Sequence, residues 1–439
     1  MAKISLISLG CEKNTVNSEQ MLWLLTQAGH ETTDPEYSDV VILNTCGFID
    51  SAKTEAIEHI LSLARLRDGG HDFKIIVAGC LAQRHPDEIL SELPEVDGIL
   101  GTGSYSEINR VVDEVLSGEK PKLLGEIDGP VPDVPRLVTT PKWYSYLKIA
   151  EGCDNRCAYC VIPSIRGRYR SRTMDEVLDE ARGLARSGTK ELILIAQDVT
   201  RYGRDLRDGS SLSELLRRLC GIEGIEWVRL HYLYPDEITD ELLEVIAGEA
   251  KILKYFDLPI QHVNDAILRS MNRRTTKSEL ETLLGKIRAS APDAVLRTSI
   301  ICGLPGEGEE EFRELCDFLS RHRFQRAGFF AFSPQEGTKA ASMPCQVPEE
   351  TALSRVEILQ RLQERIMYEY NLSRLNTEIN VLCEGYDPDR GVYFGRSGAD
   401  SPGIDEQVRF RSRKKVPEGS FVRVLAKELS EGEILGERI

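Results

Sequence analysis

The sequence predicts an α/β multidomain chain in three parts: an open parallel α/β unit, a partial barrel of six β/α repeats, and a small all-β barrel at the carboxyl end. Three observations carry that prediction. Short apolar, β-branched runs alternate with amphipathic helical patterns through most of the chain, the grammar of parallel strands with crossover helices. A stretch holding Pro121, Pro130, Pro132, Pro135 and Pro141 interrupts the alternation once. From Glu378 onward the helical period disappears and glycine-punctuated, strand-like runs take over.

In the first unit, KISLISLGC, DVVILNTC and KIIVAGC read as strands, each ending in a cysteine: Cys11, Cys46 and Cys80. The spacing predicts a helix seeded by Ser18, with Met21, Leu24, Leu25 and Ala28 on one face and a stop at Gly29. A second starts near Ser51 and carries Ala56, Ile57, Ile60, Leu61 and Ala64. Each unit has the length of a βαβ repeat, so the strands are parallel and all three cysteines fall at carboxyl ends, the edge where open parallel sheets bind ligands. Beyond the prolines come YSYLKIAEG, ELILIAQDV, WVRLHYLYP, YFDLPIQHV, AVLRTSIICGLP and RAGFFAFSP. Six units are too few for a closed eight-stranded barrel, so the expected form is an open partial (β/α)6 barrel. A helical pattern from Glu349 to Leu372, with Leu359, Leu362, Ile366 and Tyr370 on one face, closes it. In the tail, INVLCEG, GVYFGRS, EQVRFRS and SFVRVLAK form a barrel of OB-like size. The expected boundaries are 1–120, a linker at 121–141, 142–375 and 376–439. With its own strand pattern and none of the candidate ligands, the tail is expected to be separable from the chemistry.

A chain of 439 residues that is 41% hydrophobic fills two or three cores. It shows no signal peptide and no apolar run of membrane-spanning length, and its 11 cysteines are an odd number, so reduced thiols in the cytoplasm and no membrane association are expected. The net charge is −16, and the excess acid is concentrated in residues 1–140, with 11 Lys/Arg against 23 Asp/Glu. Even the tail holds 10 against 12. Such a surface repels an RNA duplex and suits a basic protein partner, although Arg166–Arg172 and RFRSRKK at 409–415 are local basic runs.

Cys153, Cys157 and Cys160, in EGCDNRCAYCVIPSIRG, form a C-x3-C-x2-C triplet. Three thiolates on one loop hold three irons of a cubane cluster and leave the fourth open, whereas structural zinc needs a fourth ligand that no nearby pair supplies. Cys11, Cys46 and Cys80, at equivalent strand ends, read as a second three-thiolate site, against the alternative that each is a small buried hydrophobe. Cys220, Cys302, Cys316, Cys345 and Cys383 have no partner at ligand spacing and read as structural. No histidine has a companion at i+4, which argues against a histidine metal site. After RTSIIC, Gly303, Pro305 and Gly306 either bring bare backbone close to a ligand or form a plain turn. Gln197, Asp198, Gln261 and His262 end strands as ligand contacts or as caps, and Arg166, Arg168, Arg170 and Arg172 anchor a carboxylate or are solvated.

The triplet, with Tyr159 in the aromatic slot, resembles the signature of the radical S-adenosylmethionine (SAM) enzymes. Two such triplets resemble the methylthiotransferases, and LGCEKNTVNSEQ, VILNTCGFIDSAKTEAI, GCLAQRHPDEI, PEVDGILG, YPDEITDELL, DLPIQHVND and GLPGEGEEEF resemble the branch acting on ribosomal protein S12 (uS12). Glu12, where that branch often has Pro, and Asn17, where Asp is usual, depart from it. The resemblance implies a flavodoxin-like N-terminal domain, a radical SAM barrel and a C-terminal TRAM domain. It implies two [4Fe–4S] clusters, held by Cys11, Cys46 and Cys80 and by Cys153, Cys157 and Cys160, and SAM contacts near Tyr159, Gln197, Gln261, Gly303, Pro305 and Gly306. One SAM would methylate sulfur at the first cluster, and a second would yield the 5′-deoxyadenosyl radical that opens the β-carbon of an aspartate to methylthiolation. The implied partners are uS12 or the small ribosomal subunit, an electron donor such as flavodoxin or ferredoxin, and a sulfur donor, the enzyme being a monomer. Two alternatives stay open: 2-methylthiolation of a tRNA adenosine, and an iron–sulfur electron carrier or scaffold.

Overall fold

The computed structural model describes residues 1–439. Its first sheet has six parallel strands, β1 (Lys3–Ser8), β2 (Glu31–Thr32), β3 (Val40–Thr45), β4 (Lys74–Gly79), β5 (Gly98–Gly103) and β6 (Lys122–Gly125), in the order β2-β1-β3-β4-β5-β6. Helices cover both faces. Met21 and Leu25 of the helix Glu12–Gln27 pack on Ile4, Val40 and Ile42, while Ala56 and Ile60 of Asp50–Asp68 pack on Val41, Leu43, Ile75 and Val77. The order reverses between β1 and β3, and that reversal opens a crevice at the carboxyl edge.

Two expectations need correction. The first helix begins at Glu12, not near Ser18: Cys11 is its extended N-cap residue, and Ser18 lies buried within it, accepting from Asn44 Nδ2 at 2.9 Å. Lys122–Gly125, inside the stretch expected to be linker, is the sixth strand. The run KLLG can pair with β5 because the prolines that exclude a strand resume only after it.

The second sheet comprises β7 (Tyr144–Lys148), then, after a two-stranded ribbon of β8 (Ala150–Glu151) and β9 (Arg170–Ser171), β10 (Glu191–Ile195), β11 (Trp227–Leu230), β12 (Ile252–Gln261), β13 (Val295–Cys302) and β14 (Arg326–Ala331). Apart from the ribbon these strands lie side by side in chain order, all parallel, as a six-stranded partial barrel. Thr173 and Thr276 start their helices with capping boxes to Glu176 and Glu279, and Ser211 and Thr239 cap two more. The long helix Glu349–Ser373 packs on β14 and buries Ala352, Val356, Leu359 and Ile366.

The tail is a closed barrel of five strands, β15 (Glu378–Asp387), β16 (Val392–Ser397), β17 (Val408–Arg411), β18 (Phe421–Ser430) and β19 (Glu433–Arg438). The sequence pattern shows four of these; β19, with charge at both ends and a glycine inside, escapes it.

Nor is the tail an appendage. Arg396, 1% exposed, reaches Glu191 Oε2 at 2.7 Å, and Arg229 holds the other oxygen of that carboxylate at 2.7 Å. Asp400 takes Arg326 at 2.8 Å, Ser401 meets His231 at 2.9 Å, and Asp405 accepts from Tyr255 at 2.6 Å. Glu191, Trp227 and Arg326 are the first residues of their strands, so the tail plugs the amino end of the partial barrel, with Phe421 edge-on to Trp227 at 4.7 Å.

Candidate functional site

Cys46 and Cys80 follow β3 and β4 directly and Cys11 follows β1 after Leu9 and Gly10, at the crevice between β1 and β3 and its neighbour strand. The Cys11 and Cys46 loops approach so closely that a Cβ on Gly10 (φ +85°) would lie 2.6 Å from Cys46 Cβ, and only glycine fits there. Asn14 ties the loops together: its Nδ2 donates to the carbonyls of Leu9 at 2.9 Å and Thr45 at 3.0 Å, and Asn44 returns a bond to the Asn14 carbonyl. Burial pushes the Cys46 thiol up to about 11, with the nearby Cys80 and Cys11 adding to it. Burial raises Cys80 too, against the pull of Arg166.

The second triplet sits on the loop leaving β8 at the carboxyl end of the barrel's first strand. Cys153 N–H donates to the Gly167 carbonyl at 3.1 Å, Cys160 N–H to that of Cys157 at 3.0 Å, and Ile162 N–H to Cys160 Sγ at 3.4 Å. Tyr234 Oη and Arg273 Nη1 approach Cys157 Sγ at 3.8 and 3.9 Å. Burial pushes Cys153 up to about 11 and Cys160 higher still. In neither triplet do all three Sγ atoms lie within 4.8 Å of one another, as His85, Glu88 and Glu336 do elsewhere. Zinc bound by thiolates needs sulfurs about 3.8 Å apart. Three thiolates with no fourth protein ligand suit a cluster with one open iron.

The two triplets are joined by Arg166, at the end of the helix Ile162–Arg166. It is 3% exposed: of the two readings of this arginine run, the carboxylate anchor holds at Arg166 on Glu151 and at Arg172 on Glu180 and Asp133, while Arg168 is exposed. Arg166 Nη1 bonds both Glu151 oxygens at 3.1 Å and Asn17 Oδ1 at 2.9 Å; Nη2 bonds Asn14 Oδ1 at 2.5 Å and Cys80 Sγ at 3.4 Å. Burial works against the Glu151 carboxylate, but Arg166 and Lys148 outweigh it and hold its pKa well below the usual carboxylate range. On the other flank Tyr232, left-handed at φ +60°, donates to Glu12 Oε2 at 2.9 Å, and Lys13 Nζ stands 3.5 Å from its ring centroid. Glu12 and Asn17, the two departures noted in the sequence, are therefore both contacts between the first sheet and the barrel. The repeated asparagines of CEKNTVN were the available signal for Asn14 and Asn17; nothing local marked Glu151 or Tyr232.

Among the expected SAM contacts, Gln197 Nε2 donates to Glu151 Oε1 at 2.8 Å while its own Oε1 is buried without a partner. Gln261 is left-handed at φ +68° at the end of β12. Asp198 is a cap, accepting from Thr200 N–H at 3.1 Å and from Asn155 at 2.8 Å. His262 is buried 3.4 Å from Glu307, which Arg355 and the Gly303 N–H hold at 2.8 and 2.9 Å. At Gly303 (φ +81°) a Cβ would lie 2.5 Å from Ala352 Cβ, so the bare position also lets the long helix pack against this turn. A Cβ on Gly306 would meet only Ile267 Cδ1, at 3.8 Å, Pro305 is buried, and Tyr159 packs with Ala158, Met271 and Leu304, which brings the cysteine loop beside this turn.

Family models match the chain in three places: "Uncharacterized protein family UPF0004" at residues 3–101, the radical SAM superfamily at 147–319, and the TRAM domain at 377–439. The radical SAM match implies SAM and a [4Fe–4S] cluster. Among solved structures, the radical SAM methyltransferase TsrM from Kitasatospora setae shares the fold at TM-score 0.58 and 15% identity, over 77% of each chain. The cobalamin-dependent enzyme OxsB does so at 0.53 and 15%, over 82% of this chain and 56% of its own. The ribosomal protein uS12 methylthiotransferase RimO of Pelotomaculum thermopropionicum is 50% identical over 100% of this chain and 99% of its own. Its namesake in Caldanaerobacter subterraneus is 45% identical over 100% of both, and that of Clostridioides difficile 44% over 100% and 99%. Identity at this level runs through the first sheet, the barrel and the tail alike, and the chain belongs to the uS12 methylthiotransferases, transferases of the radical SAM superfamily.

Proposed function

We propose that this chain adds a methylthio group to the β-carbon of an aspartate of uS12, with sulfur handled at Cys11, Cys46 and Cys80 and SAM cleaved beside Cys153, Cys157 and Cys160. The observation that carries the reading is the single buried guanidinium of Arg166, which touches Cys80 Sγ at 3.4 Å and is anchored on Glu151, two residues before Cys153. A second, sulfur-handling site is useful only if it faces the radical source, and this contact sets the two face to face. When bound, two [4Fe–4S] clusters and SAM would supply an open iron for sulfur, a methyl group and the 5′-deoxyadenosyl radical. The protein's part is to hold and orient. Each cysteine triplet offers three thiolates, while Gln197, Gln261, Pro305, Gly306 and Tyr159 line the approach at the barrel mouth. The Glu12–Tyr232 bond and Lys13 fix the first sheet over that mouth.

In this reading residues 1–120 handle sulfur, 121–141 strap that domain to the barrel, 142–375 generate the radical, and 376–439 serve recognition. The enzyme works as a cytoplasmic monomer, with electrons from a flavodoxin or ferredoxin and sulfur from a separate donor. The excess of acid in residues 1–140, 23 against 11, suits a basic ribosomal protein better than an anticodon stem. The test is a paired assay of purified enzyme with SAM, reductant and sulfide. Mass spectrometry should find one methylthio group on an aspartate of uS12 and none on anticodon-stem RNA; the opposite pattern overturns the substrate assignment.

A further inference from the structure

Between the first sheet, the proline-containing strap and the barrel lies a cavity of about 50 Å³, walled by Tyr105, Ile127, Lys148, Glu151, Arg166 and Arg170. One water-sized occupant needs about 10–15 Å³ of such space, so the cavity holds a small ion with a water or two and excludes a nucleoside. Its walls carry unbalanced charge. Lys148 and Arg166 share one buried carboxylate, that of Glu151. Arg170 donates to the carbonyls of Ile127 and Arg166 and pairs with no carboxylate, and its Nε is buried without a partner. Glu126 lines the outer part and is exposed to water. Tyr105, 7% exposed, also keeps a buried hydroxyl that nothing in the chain satisfies. Unpartnered buried donors beside cations that share a single buried carboxylate favour an anion in this space.

We propose that this cavity is a binding site for a small anion, hydrosulfide, held next to the Cys11, Cys46 and Cys80 site. The inner wall is Arg166, whose other side already meets a sulfur, Cys80 Sγ at 3.4 Å. The Tyr105 hydroxyl and the Arg170 guanidinium supply the donors that a monovalent sulfur anion accepts. The proposal rests on the reading that the chain transfers sulfur, and it concerns where sulfur waits rather than how it reacts.

Crystals of the full-length, cluster-loaded enzyme, soaked anaerobically in sodium bromide with and without sodium hydrosulfide, test occupancy directly. The expected result is an anomalous bromide peak in the cavity that hydrosulfide displaces. In solution, Tyr105→Phe and Arg170→Met should each raise the hydrosulfide concentration needed for half-maximal methylthio transfer by about tenfold, the effect of one hydrogen bond to an anion. Formation of 5′-deoxyadenosine by the same variants should stay at the parent rate, showing that they are folded. A cavity holding only water, bromide that hydrosulfide does not displace, or unchanged half-saturation in both variants overturns the anion site. If bromide is displaced but the parent enzyme leaves uS12 unmodified, the sulfur-transfer reading falls and the anion site stands.

Discussion

Replacing Arg396 with methionine should loosen the tail and the barrel together. The side chain is 1% exposed and bonds Glu191 at 2.7 Å, Glu384 at 2.9 Å and the Asp400 carbonyl at 3.3 Å. Methionine keeps most of the stem and removes the charge. Breaking a buried ion pair costs about 3–5 kcal/mol when it strands the partner. Here neither carboxylate is stripped bare, because Glu191 keeps Arg229 at 2.7 Å and Glu384 keeps Trp143 Nε1 at 3.0 Å. The loss therefore falls at the low end, about 3 kcal/mol. The chain has 3 tryptophans, and Trp143 and Trp227 both lie at this junction, so tryptophan emission during urea unfolding reads it directly. The earliest transition should move to lower urea by that amount, with tail and barrel unfolding as one step, while Arg110→Met in an exposed ion pair leaves it in place. A change below about 1 kcal/mol, or a tail that melts alone, would refute the integrated floor.

Replacing Cys11, Cys46 and Cys80 with alanine should lower iron from about eight to about four per chain and retain reductive SAM cleavage, since the other triplet is untouched; unchanged iron content contradicts the assignment. Removing residues 376–439 should abolish 5′-deoxyadenosine formation as well as modification, because it uncovers Glu191, Arg229 and Arg326; a truncated chain that still cleaves SAM at the parent rate rules this out. Acid should unlock the same junctions. Against the opposing effect of burial, Arg396 and Arg229 hold Glu191 low, Arg166 and Lys148 hold Glu151 low, and Arg374 and Arg326 hold Asp400 low. A carboxylate depressed on folding stabilises above its unfolded pKa, about 4, and loses that contribution as pH falls toward its folded value. Circular dichroism melts should therefore drop progressively below about pH 5. A flat profile down to pH 3 would show that these pairs contribute nothing.

Periodic features were legible in the sequence because they repeat locally. Strand runs ending in Cys11, Cys46 and Cys80 and the six alternating units all lie within a few residues of the pattern that reveals them. Pairing between distant charges has no such signature. Arg166 stands in a run, RGRYRSR, that looks solvated, and its partners Asn14, Asn17 and Cys80 lie in another part of the chain. The same holds for the tail, where no local pattern marks Arg396 and Asp400 as partners of Glu191 in β10 and Arg326 in β14. Gly303 reads locally as a turn glycine, and the side chain that its bareness makes room for, Ala352 of the long helix, lies far along the chain where no local pattern announces it.

Protein synthesis delivers the strands of the barrel well before the residues that plug it. While the nascent chain ends short of Arg396, a closed sheet would hold Glu191 with one cation instead of two and bury Arg326 without Asp400. Domains that emerge first usually fold first. Here the first sheet carries its whole core in its own residues, whereas the second draws part of its floor from the tail. A chain cut short anywhere in the last strands then leaves the tail barrel open, and the floor of the partial barrel loses the fold that holds it.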